Sequence, residues 1–190
     1  MPEEIVREVL DAGATDLGEN RAQELVAKAD ALRSSAPEGR EPPRWHFIGR
    51  LQRNKVRMLA GLVDLWHSID RPELVDPLSR HAAGARVLVE VNLSEEPQKG
   101  GCRPEETPAL VERLTDAGLV VAGLMTVPAA AGDPRPTFAA LRELASRLGL
   151  AHLSMGMTAD FEPAIAEGAT IVRVGSAVFG PRSGPGGLRR

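Results

Sequence analysis

The feature that most constrains this chain is a rhythm: about seven short apolar, β-branched runs alternate with longer amphipathic segments. The runs are TDLG, WHFIG, VDLWHSI, RVLVEVN, LVVAGLMTV, AHLSMGM and TIVRVGSAVFG. Between them lie RAQELVAKADAL, LQRNKVRMLAG, PELVDPLSRHAAG, PEETPALVERLTDAG, PTFAALRELASRLG and ADFEPAIAEG. Phe138, Leu141, Leu144 and Leu148 trace one face of a predicted helix. Pro2, Pro72, Pro104 and Pro136 stand near helix starts, and Gly13, Gly61, Gly84, Gly118, Gly149 and Gly168 near helix ends. Continuous apolar strands such as VLVEV and TIVRV suit a parallel sheet covered by helices. Periodicity leaves a closed barrel and an open doubly wound sheet both standing.

With 190 residues and 43% hydrophobic content, the chain can bury one core. One domain over residues 1–182 is expected, followed by a flexible tail at 183–190; SSAPEGREPP and PAAAGDPRP read as surface loops. The 23 Lys and Arg against 26 Asp and Glu are scattered, so no basic field recruits nucleic acid or anionic membrane, and a small-molecule partner is expected. No apolar run reaches the roughly 20 residues needed to span a bilayer. The single cysteine excludes an internal disulfide, and MPEEIVREVLDAG lacks a secretory layout, so a cytoplasmic protein is expected. Cys102 reads as an incidental exposed thiol, and the scattered histidines give no metal-ligand spacing.

Parallel α/β folds bind ligands at the carboxyl ends of their strands. There this sequence delivers Gly18, Glu19 and Asn20; His46, Ile48 and Gly49; His67 and Ser68; Glu90 and Asn92; Met125 and Thr126; Ser154 to Met157; and Arg173, Gly175 and Ser176. SMGM and VGSAVFG fit a phosphate cradle, in which glycine lets backbone N–H groups approach an anion and a hydroxyl adds a donor. The plainer alternative is that the glycines turn the chain and Ser154 and Ser176 cap helices. Arg173, in a strand otherwise of Ile and Val, needs an acceptor or a surface position. His46 and His67 read first as hydrogen-bonded structure. Met125, Met155 and Met157 read as core before they read as a ligand wall.

The strings LGENRAQEL, WHFIGRLQRNKV, WHSIDR, VEVNLSEEPQKGG, GLMTVP, LSMGMTADFEPAIAEGAT and VRVGSAVFGPR, in this order, resemble the pyridoxal 5′-phosphate (PLP) homeostasis family. The resemblance implies a TIM-type (β/α)8 barrel like the barrel domain of alanine racemase, with PLP in its mouth. It implies phosphate contacts from Ser154, Gly175 and Ser176, Arg173 beside the pyridine nitrogen, Asn20 near the ring, and Ile48 and Met125 around the pocket. The family's first strand, of the type AVSKT, carries the lysine that forms the Schiff base with PLP. Here that strand is expected to be missing, and Lys28, Lys55 and Lys99 read as solvated charges, with Lys99 the one remaining covalent candidate.

The expected function is therefore non-catalytic PLP binding in vitamin B6 homeostasis. The expected partners are PLP and PLP-dependent recipient enzymes, without nucleic acid or membrane, in a monomer or weak dimer. Two alternatives stand beside it. One is a racemase-like PLP enzyme, although related racemases use a tyrosine from an added domain and this chain has no Tyr. The other is a truncated barrel that no longer holds PLP covalently.

Overall fold

A computed structural model describes residues 3–35, 39, 41–94, 96 and 99–180. The expected tail at 183–190 lies outside the described residues. The elements follow the predicted alternation. They begin α1 (Glu3–Asp11), β1 (Asp16–Glu19), α2 (Ala22–Ser34), β2 (Arg44–Phe47), α3 (Val56–Leu59), β3 (Val63–Ile69), α4 (Val75–His81) and β4 (Arg86–Glu90). They continue α5 (Thr107–Asp116), β5 (Val120–Met125), α6 (Arg135–Arg147), β6 (His152–Met157), α7 (Phe161–Ala166), β7 (Ile171–Arg173) and α8 (Ser176–Phe179). One sheet of seven parallel strands runs in chain order from β1 to β7.

Burial separates the two faces of this sheet. Alternate residues such as Trp45 and Phe47 on β2, Val87 and Val89 on β4, and Leu153 and Met155 on β6 point outward into the main core. There they meet the apolar faces of the helices, including Leu25 of α2, Leu114 of α5, and Phe138 and Leu141 of α6. The opposite face carries a smaller cluster of Leu65, Leu88 and Met125, with Ile171 against it. That face is concave. β3 and β6 are three strands apart, roughly 14 Å across a flat sheet at the usual strand spacing, yet His67 of β3 and Ser154 of β6 are 2.9 Å apart. The sheet thus curls into a nearly closed barrel with an interior lined by side chains.

Two local expectations differ from what is found. TIVRVGSAVFG is strand only over Ile171–Arg173, because the Val178 and Phe179 amides both turn back to the Gly175 carbonyl and close a helical turn. PEETPALVERLTDAG becomes helical at Thr107, where Pro108 rather than Pro104 occupies the first turn.

Candidate functional site

The site forms where the strands end. Between β1 and β2, the Ile48 amide donates to the Glu19 carbonyl at 3.0 Å, continuing the strand pairing one residue beyond the sheet. The loops then touch so closely that a Cβ on Gly49 would lie 1.9 Å from the Asn20 carbonyl oxygen. Glycine at position 49 therefore allows Asn20 and Ile48 to share one rim. The Asn20 amide is held by the Glu19 carboxylate at 2.7 Å, and the residue is exposed at the mouth. Ile48 lies over Gly18, where its Cδ1 would be 3.0 Å from an added Cβ.

On the opposite rim, Gly156 sits at φ 88, and a Cβ there would meet the Cβ of Ala164 at 2.6 Å, so glycine both turns the chain and admits α7. Just beyond this turn, the Thr158 hydroxyl accepts the Gly175 amide at 3.2 Å and the Ala177 amide at 3.4 Å. Two backbone donors thus converge on one oxygen beside Ser176, the arrangement that an anion requires. Thr158 was not singled out from the sequence. Its signal was its place directly after the SMGM turn.

Ser154 faces elsewhere. It is fully buried in the lumen, where Arg173 Nη1 donates to its Oγ at 2.6 Å, while Arg173 Nη2 donates to the Thr126 carbonyl at 2.9 Å. Burial lowers the Arg173 pKa to about 10, which leaves the guanidinium charged at neutral pH. From Ser154 the contacts continue across the lumen toward the exposed start of β1. His67 Nδ1 is 2.9 Å from Ser154 Oγ, His67 Nε2 is 3.0 Å from His46 Nδ1, and His46 Nε2 is 3.2 Å from Asp16 Oδ1. Asp16 also accepts from Arg44 Nε at 2.8 Å and Nη2 at 2.7 Å, and the Arg44 hydrogen bonds hold its carboxyl down to about 2. Burial depresses both histidines, with His67 falling to about 2. The sequence named these histidines as structure, but not the line they form.

Met125 is buried in the lumen cluster, whereas Met155 belongs to the outer core and Met157 is exposed. Glu90, half-buried beside the Gly100 loop, is pushed up to about 7, first by burial and next by Asp70. Three expectations are corrected. Cys102 is buried, contacts the Thr107 hydroxyl at 3.4 Å, and has its thiol raised to about 11 by burial. Lys28 is mostly covered and ion-paired with Glu19. Lys99 donates to the Pro128 carbonyl at 2.8 Å and pairs with Glu96 at 2.8 Å.

The model of the alanine racemase N-terminal domain matches residues 3–183. A pyridoxal phosphate homeostasis protein from Aquifex aeolicus is 45% identical over 96% of this chain and 83% of its own length. The chain belongs to the pyridoxal phosphate homeostasis protein family. Its mouse member is 37% identical over 95% of this chain and 73% of its own length. The solved structure of PipY from Synechococcus elongatus PCC7942 with PLP bound superimposes with a TM-score of 0.85 at 32% identity, covering 94% of this chain and 88% of PipY. Lysine decarboxylase from Selenomonas ruminantium, at 18% identity and a TM-score of 0.65, shares the barrel fold. Among the described residues no cluster could hold a metal ion, and no helix is long and apolar enough to cross a membrane.

Proposed function

We propose that this chain is a non-catalytic, cytoplasmic PLP-binding protein that holds the cofactor at its barrel mouth and serves PLP-dependent enzymes as recipients. The observation that carries the reading is the pairing of a half-buried, doubly anchored Arg173 with two backbone donors that converge at Thr158, two and four residues further along the chain. Gly175 and Ser176, joined by the Thr158 hydroxyl, would take the phosphate. Arg173 would face the pyridine nitrogen, with Met125 and Ile48 against the ring and Asn20 at the rim. Ser154, assigned to the phosphate by resemblance, serves this site through Arg173. When bound, PLP supplies an amine-capturing aldehyde and a ring whose electron-withdrawing power depends on protonation of its nitrogen. A fixed guanidinium beside that nitrogen disfavours its protonation, which suits carrying the cofactor better than turning substrates over on it.

The test is an ultraviolet-visible titration of the purified chain with PLP, with and without borohydride, followed by intact mass. A saturable spectral change, weakened in Arg173→Ala and Ser176→Ala, is expected. The borohydride arm reports whether a lysine such as Lys99 joins the ligand. No spectral change at millimolar PLP would overturn the reading.

A further inference from the structure

The lumen of the barrel holds an unbroken line of short polar contacts between a cation near the mouth and a carboxylate at the start of β1. From one end the members are Arg173, Ser154, His67, His46 and Asp16. They come from β7, β6, β3, β2 and β1, so the line crosses the barrel rather than following any one strand. His67 and Ser154 are fully buried and His46 is largely so, which makes an unmatched contact costly.

The protons along this line can be placed. Arg173 has only donors, so Ser154 Oγ accepts from it. At the far end, Asp16 carries a negative charge and His46 Nε2 faces its Oδ1, so that nitrogen must bear a proton. A neutral His46 then has a bare Nδ1, which must accept from His67 Nε2–H. His67, neutral in turn, has a bare Nδ1 and accepts the Ser154 hydroxyl proton. With both rings neutral, this is the only assignment in which every contact is a hydrogen bond. Every donor points the same way, from Arg173 toward Asp16. The reverse tautomer of His67 would leave its bare Nε2 facing His46 Nδ1, so lone pairs would meet there or, if His46 flipped to supply that proton, between His46 Nε2 and Asp16.

We propose that His46 and His67 are positioning residues: as a pair of Nε2–H tautomers they orient the Ser154 hydroxyl, which fixes the Arg173 guanidinium in the lumen. The role in PLP binding rests on the function proposed above; the holding of Arg173 does not. Ser154 spends its proton on His67 and one lone pair on Arg173, so while the line is intact it has no donor for a phosphate. That separates its task from that of Thr158. Asp64 and Arg44 are the other charges acting on His46, and Glu90 acts on Arg173 from β4.

Nitrogen-15 NMR of the ligand-free chain near neutral pH tests the line directly. Bare Nδ1 and protonated Nε2 on both rings, with slowly exchanging Arg173 Nη protons, are expected. A protonated Nδ1 on His67 would overturn the proposal whatever PLP does. His67→Leu should speed exchange at Arg173, and His67→Gln, whose amide can accept from Ser154 and donate toward His46, should restore it; equal exchange in all three chains would sink the idea. With PLP, His67→Leu should weaken binding about tenfold, and this effect should vanish in an Arg173→Gln background. A full effect in that background would place His67 in a role separate from Arg173. Tautomers as expected in a wild-type chain that ignores PLP would support the line and overturn the proposed function.

Discussion

At the residue scale, single positions carry constraints that their neighbours do not. Gly49 has the backbone of Asn20 against it, so Gly49→Ala forces the two loops apart. We expect a loss of about 1–3 kcal/mol in urea unfolding, as for overpacked cores, together with weaker PLP binding because Asn20 and Ile48 move. Glu90 behaves differently. Its folded-state pKa lies above the unfolded value, so the folded chain binds the extra proton, and stability present below pH 4.5 is lost as pH rises through about 7. Glu90→Gln should therefore raise the melting temperature at pH 8 and leave it nearly unchanged at pH 4; an equal shift at both would disprove this account. Cys102, buried with its thiol raised, should react with a thiol reagent only after denaturant is added.

Elements, rather than residues, decide most of the stability. α6 buries Phe138, Leu141, Leu144 and Ala145 on the face that its sequence spacing announced. Phe138→Ala should cost about 3–5 kcal/mol, whereas Arg147→Ala at the same helix's exposed end should cost under about 0.5 kcal/mol. The histidines of β2 and β3 give a pH signature to the sheet. Both are depressed when folded, so below pH 6.5 the unfolded chain takes up protons that the folded chain refuses, and stability falls with acid from about pH 6.5 downward. His67→Gln should flatten that slope in chemical denaturation curves recorded between pH 7 and pH 5.

For the molecule as a whole, the proposed site joins two kinds of recognition at one mouth: backbone donors for an anion and the half-buried Arg173 cation for a ring. A ligand carrying both features stabilises the folded state by mass action, by about 2.7 kcal/mol at a hundredfold excess over Kd. PLP should thus raise the melting temperature in a concentration-dependent way, and pyridoxal, which lacks the phosphate, should do so far less. Equal shifts from the two would place the binding energy away from Gly175, Ser176 and Thr158. The order of strands and helices, the apolar face of α6, and the clustering of SMGM and VGSAVFG at strand ends were all legible from local spacing and turn chemistry. What the sequence could not supply is facing. Four residues of β6, from Ser154 to Met157, span the three of β7 from Ile171 to Arg173, and this irregular register cannot be counted from either string alone. It brings Thr158 to the Gly175 and Ala177 amides and leaves Ser154 turned into the lumen. The same holds for Cys102, which a loop-like string hid as a buried residue, and for His67 and Ser154, which lie 87 residues apart on strands three places apart and meet only because the sheet curls. Local sequence sets the period of a strand, two residues per repeat; only closure of the sheet decides which of its two faces becomes the inside.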